Sequence, residues 1–116
     1  AVSITKDLAK TWTEHASNRS VLQEHVCMAS LIKVAANENV TGKDILFFSN
    51  PNTTQGRHHI TIKASLDGGN TFPEEYNVLM DEGHGWGYSC LTLVDSETIG
   101  ILYESSVVKI KDIFKK

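Results

Sequence analysis

Ser65-Leu66-Asp67-Gly68-Gly69-Asn70-Thr71-Phe72 is the one stretch of this chain whose residue types are jointly specified, and its reading decides the fold. Gly68 and Gly69 accept positive φ at little cost. The Asp67 carboxylate can take hydrogen bonds from N–H groups of its own turn, and Thr71 adds a hydroxyl. Upstream, residues 57–64 (RHHITIKA) alternate in the manner of a half-buried strand, and downstream residues 75–80 (EYNVLM) form another short apolar run. The octet is therefore expected to be a closed turn between two strands, pinned by its own polar groups. An ordinary Asp-Gly-Gly hairpin turn would carry the same local signature.

Working outward, the whole chain reads as β-structure. No window of a dozen residues holds a convincing 3.6-residue period. Residues 1–16 open on a short strand and run into Thr5-Lys6-Asp7-Leu8-Ala9-Lys10-Thr11-Trp12, which keeps the Asp, Thr and aromatic of the first octet at the same spacing. Thr5 stands for Ser65, and Ala9 for Gly69. The two copies start 60 residues apart, as a repeated turn-and-strand array would require. Residues 15–25 (HASNRSVLQEH) read as a loop. Residues 26–34 (VCMASLIKV) read as a strand buried on both faces, and 45–48 as the next strand. Together with strands at 57–65 and 75–80, these make four short antiparallel strands between residues 26 and 80, which is one propeller blade. Three further strands are expected at 88–94, 98–104 and 107–114, a last blade one strand short.

Composition bounds the possible functions. Of 116 residues, 41% are hydrophobic and 22% charged, which suits one folded unit and argues against disorder. The formal charge of -3, with no basic run before Lys109, Lys111, Lys115 and Lys116, argues against a nucleic-acid footprint. No stretch approaches the ~18 apolar residues of a membrane span. Cys27 and Cys90 sit in apolar strand-like runs without CxxC spacing and are expected to be buried free thiols. The opening Ala1-Val2-Ser3-Ile4 lacks an initiator Met and a signal pattern, and an open blade leaves an unsatisfied edge; both lead to the expectation that further polypeptide precedes this chain.

The chemistry-bearing candidates are few. Arg57 follows the Ser49-Asn50-Pro51 loop and opens a strand, where a guanidinium fork suits a carboxylate; taken alone it reads as a surface arginine. Tyr88 stands on an apolar strand after the glycine-rich segment Asp81-Glu82-Gly83-His84-Gly85-Trp86-Gly87, from which Trp86 is a possible substrate contact. Five histidines raise the question of a metal. His58 and His59 are adjacent on an expected strand and would point to opposite faces, while His15, His25 and His84 lack ligand spacing, so no metal site is expected.

These pieces together resemble a known family. Ser65, Asp67, Gly69, Thr71 and Phe72 resemble the Asp box of sialidase-type β-propellers, with Phe72 where the family usually has Trp, and Thr5 to Trp12 resembles a degenerate second copy. Phe48-Ser49-Asn50-Pro51 followed by Arg57 resembles the part of bacterial exo-α-sialidases that carries the third arginine of their triad. Gly87-Tyr88-Ser89-Cys90-Leu91 is similar to the segment of the nucleophilic tyrosine. Ile101-Leu102-Tyr103-Glu104 is similar to the segment whose glutamate supports the first triad arginine. The matches fall in the family's order.

The resemblance implies the C-terminal part of a six-bladed catalytic propeller. Residues 1–16 would end one blade, 26–80 would form a second, and 88–114 would form a last blade completed by an N-terminal portion of the same propeller. It implies Arg57 as a carboxylate anchor, Tyr88 as nucleophile, Glu104 as a supporting residue, a sialylated glycan as substrate and no cofactor. General acid, general base and the other arginines would lie outside this chain. The resemblance implies a bacterial protein, and a secreted or periplasmic location is expected from where such glycans occur. The rival readings are a glycan-binding propeller without catalysis and a small self-contained β domain.

Overall fold

The computed structural model describes residues 1–24 and 27–105, and among them every regular element is a strand or a short 3₁₀ turn. The strands are β1 (Ser3–Ile4), β2 (Thr13–Glu14), β3 (Ser30–Val34), β4 (Ile45–Pro51), β5 (Ile60–Ser65), β6 (Val78–Asp81), β7 (Ser89–Asp95) and β8 (Thr98–Tyr103). All pairings are antiparallel. β3, β4, β5 and β6 form one sheet in sequence order, the meander that a propeller blade takes, while β1–β2 and β7–β8 are separate hairpins. The strand expected at 107–114 lies outside the described residues.

β4 shows why this sequence gives a sheet with two covered faces. Its neighbours β3 and β5 satisfy its backbone, and alternation sends successive side chains to opposite sides. Phe48 is buried with Leu22 and Phe72, its ring meeting that of Phe72 edge-on at 6.4 Å and 65°. On the opposite side, Ser49 meets β7, with its Oγ 2.8 Å from Ser89 Oγ. Ser30, paired with Ser49, accepts the Leu91 N–H on its own hydroxyl at 3.0 Å. Three serines thus let the second hairpin approach closely. Farther along, Val34, Ile45 and Phe47 line an apolar cavity of ~110 Å³ with Leu93 and Ile99.

Lys63, buried on β5 opposite Phe48, donates from Nζ to the Val21 carbonyl at 2.5 Å. Burial pushes its pKa below the ordinary lysine value, partly offset by Glu74. The loop 15–24 thus closes the Phe48 side through Leu22 and this bond.

Two expectations change. β3 begins only at Ser30, and Met28 and Leu31 are 63% and 58% exposed, because β3 is the edge of its sheet and nothing among the described residues covers that side. Both cysteines are free thiols, but Cys27 is half-buried and Cys90 exposed.

The two octets close by the same bonds. In the first, Ser65 Oγ donates to Asp67 Oδ1 at 2.8 Å and accepts Gly69 N–H at 2.9 Å. Asp67 accepts the N–H and the hydroxyl of Thr71 at 2.8 and 2.6 Å. In the second, Thr5, Asp7, Ala9 and Thr11 repeat the set at 2.9, 2.9, 2.8 and 2.5 Å. The backbone repeats too, for Leu8 and Ala9 adopt φ 57° and 69° where Gly68 and Gly69 have 71° and 91°. The polar bonds therefore impose a left-handed turn even without glycine. Phe72 is buried, whereas Trp12 is 59% exposed.

Leu8 is 96% exposed and has no packing to lose. A non-glycine left-handed residue costs about 1–2 kcal/mol, of which glycine's freedom in the unfolded chain returns about 0.5–1. Leu8→Gly is accordingly expected to change stability by about 0 to +1.5 kcal/mol in denaturant unfolding; lower stability would show that the turn is unstrained.

Asp67 is held at about 2, below the 3.8 of an unperturbed aspartate, by the Thr71 hydroxyl first, then the Thr71 N–H and the Ser65 hydroxyl. A depressed folded pKa stabilises the fold above the unfolded value, and that contribution fades as pH falls from about 4 towards about 2. Asp67→Asn should lower the thermal midpoint at pH 7, and the gap to the parent should narrow as pH is stepped down through this window. A gap of constant size would refute the carboxylate's role.

Candidate active site

β5 separates the Asp box from the other candidates. Six residues at ~3.3 Å each put about 20 Å of strand between the Asp67 turn and the Arg57 turn. The register gathers Ser30, Pro51, Ile60, Asp81, Ser89 and Tyr103 at the end opposite the Asp box, and the chemistry-bearing residues cluster there.

Tyr88 and Glu104 face each other where the β7–β8 hairpin opens. Glu104 N–H donates to the Tyr88 carbonyl at 3.0 Å, and Glu104 Oε2 accepts the Tyr88 N–H at 3.2 Å. Arg57 reaches them from the turn between β4 and β5. Its Cζ lies 5.7 Å from the Tyr88 ring centroid, within cation–π range, and its Nη1 donates to the Trp86 carbonyl at 2.8 Å. The structure thus brings Arg57, Trp86, Tyr88 and Glu104 together. Tyr88 is 45% exposed and Trp86 70%, so phenol and indole both present surface to solvent.

The glycine-rich segment fits between the two hairpins. Gly85 N–H donates to the Arg57 carbonyl at 3.0 Å, and buried Gly87, at φ 88°, lies against Cys27, Pro51 and Arg57. Burial pushes the Cys27 thiol up, with Arg57 opposing. Sequence reasoning missed this arrangement. The alternation of Gly83, Gly85 and Gly87 was the available signal, and it was read only for a substrate contact through Trp86.

The histidines depart from expectation as well. His58 and His59 precede β5 rather than lying on it, and φ 58° at His59 turns its ring back, so that the two Nδ1 atoms stand 2.5 Å apart. His58 Nε2 bonds the Gln55 carbonyl at 3.1 Å, and the His84 ring lies 4.7 Å from that of His58. The opposite-faces reading fails because neither residue is in extended strand. Among the described residues no group of three His, Cys, Asp or Glu is arranged to hold a metal ion.

The arrangement offers a guanidinium and a solvent-facing phenol side by side. It could bind an anionic ligand next to a potential oxygen nucleophile. Among the described residues, no carboxylate bonds the Tyr88 hydroxyl; Glu104 is engaged with the Tyr88 backbone instead.

No protein-family model matches the chain. It is 65% identical to a sialidase of Bacteroides fragilis over 122 residues, covering 99% of this chain and 22% of that protein. Among solved structures it superposes on Hadza microbial sialidase Hz136 with a TM-score of 0.84 and 67% identity, over 90% of this chain and 20% of that one. The chain therefore spans about a fifth of the length of these relatives.

Proposed function

We propose that this chain, homologous over nearly its whole length to a segment of a sialidase, forms the C-terminal part of the six-bladed catalytic propeller of an exo-α-sialidase. The enzyme would release terminal sialic acids from glycoproteins, glycolipids and oligosaccharides with retention of configuration. The observation that carries this reading is the Arg57 guanidinium 5.7 Å from the ring of a half-exposed Tyr88, in a chain 65% identical to a sialidase.

The residue types suit the substrate. Sialic acid bears a carboxylate on its anomeric carbon, which would repel a carboxylate nucleophile, and sialidases use tyrosine instead. Tyr88 is assigned as that nucleophile and Arg57 as an anchor for the substrate carboxylate, since a guanidinium binds a carboxylate through two parallel hydrogen bonds. Glu104 is assigned to support one of the remaining arginines, and Trp86 to contact substrate from the rim. No metal or organic cofactor is assigned.

The general acid, the base that activates the phenol and the other arginines would come from an N-terminal portion of the same propeller, which would also cover the exposed apolar faces of β3 and β6. This chain alone is therefore expected to be inactive. Sialylated glycans occur mainly outside the cytoplasm, which favours a secreted or periplasmic protein.

The test is hydrolysis of a fluorogenic sialoside by the complete polypeptide. Tyr88→Phe should lower kcat by roughly 10³-fold or more, the scale of losing a nucleophile. Arg57→Ala should raise KM by about 10- to 100-fold, as expected for one charge-assisted contact. Full turnover by Tyr88→Phe would remove the nucleophile assignment. Sialoside binding without turnover by the parent would favour a glycan-binding propeller.

A further inference from the structure

We infer that Gly85 and Gly87 are positioning residues: their backbone forms a strap that fixes the Arg57 guanidinium beside Tyr88. The inference rests on the reading of Arg57 as the carboxylate anchor. An arginine side chain on a turn has several rotatable bonds, so its place must be set by what touches it. One three-residue segment bonds Arg57 at both ends, with Gly85 N–H donating to its main-chain carbonyl at 3.0 Å and the Trp86 carbonyl accepting from Nη1 at 2.8 Å.

The strap approaches this closely only because its outer residues lack Cβ. A Cβ at Gly87 would lie 3.0 Å from Cys27 Sγ and from Pro51 Cγ and 3.2 Å from Arg57 Cβ, on a residue already at φ 88°. At Gly85 it would lie 2.8 Å from the Glu104 carbonyl oxygen and 2.9 Å from that of Ser105, and backbone atoms yield little. The strap is thus wedged between the Arg57 turn on one side and the end of β8 on the other. Tyr88 follows it directly, and its N–H is held by Glu104. One short segment therefore sets the guanidinium relative to both Tyr88 and Glu104. The Trp86 side chain stands outside the strap, contributing its carbonyl while its indole faces solvent. The His84 ring against His58 is a third tie between this segment and the turn that carries Arg57.

The measurement is a double-mutant cycle in the complete polypeptide, reading KM and kcat for a fluorogenic sialoside together with the Kd of a 2,3-unsaturated sialic acid analogue that keeps the carboxylate. An anchor displaced from the carboxylate forfeits part of a charge-assisted contact, which weakens binding on the order of tenfold. Gly87→Ala is expected to raise KM and that Kd on the order of tenfold with a smaller change in kcat, and to add almost nothing in an Arg57→Ala background. Gly42→Ala is the control for left-handed strain, since Gly42 has φ 69° with nothing within 4 Å of its Cβ position and lies at the far end of β4; it should leave KM and Kd unchanged. If Gly87→Ala does not fold, His84→Ala, which removes the ring contact to His58 without adding a clash, reads the same coupling with a smaller effect.

Equal effects of the glycine variant in both backgrounds, or no effect in either, overturn the positioning role while leaving the arginine reading intact. Unchanged KM and Kd in Arg57→Ala alone overturn the arginine reading itself.

Discussion

The bonds that the Asp67 carboxylate makes to the hydroxyl and N–H of Thr71 and to the hydroxyl of Ser65 close one end of β5, and the opposite end of the strand inherits its register from that closure. A slip of one residue in a strand sends every side chain to the other face. Here it would take Lys63 off the Val21 carbonyl and carry Ile60 and Ser65 off the buried positions they now occupy. It would also move Arg57 along the sheet by about 3.3 Å, more than enough to separate it from Tyr88. The turn lies about 20 Å from the candidate anchor, yet the position of that anchor depends on it.

This division explains which parts of the molecule were legible in the sequence. The Asp turns were readable because their bonds are local, spanning two to four residues, so that residue type and spacing carry nearly all the information. Even the copy with Leu8 and Ala9 in place of glycine was recognisable, since Thr5, Asp7 and Thr11 make the bonds and the backbone follows. All-β character followed from the absence of a helical period. By contrast, the burial of Met28 and Leu31 was misjudged, because a continuous apolar run fits an edge strand with an uncovered side as well as it fits a central one. His58 and His59 were misjudged because one left-handed residue, invisible to alternation rules, turns the second ring back on the first.

The site residues were nameable for a different reason. Nothing in the local sequence around Arg57, Tyr88 or Glu104 says that they meet; a resemblance of ordered segments named them, and the antiparallel register is what brings them to one end. Their mutual geometry depends on long-range contacts such as Gly85 with Glu104 and Ser105, and Arg57 with Trp86, which no spacing rule encodes. The glycines were visible, but whether a glycine serves a turn or a close approach is decided by what lies across from it.

The candidate site is also sensitive to the spacing between its two hairpins. Arg57 belongs to the β4–β5 hairpin, while Tyr88 and Glu104 belong to β7–β8, and near the site β7 meets β3 and β4 through hydroxyl contacts rather than large apolar side chains. Packed sheets usually stand about 10 Å apart because aliphatic and aromatic side chains fill the gap. Ser30, Ser49 and Ser89 fill little; Ser49 and Ser89 bond each other while Ser30 accepts the Leu91 N–H, which satisfies polar groups that burial would otherwise penalise. The larger residues Val34, Phe47 and Leu93 lie at the opposite end, around the apolar cavity. The two hairpins are thereby tied by short side chains at the end that carries Arg57 and Tyr88. A guanidinium on one hairpin can then reach the face of a phenol on the other.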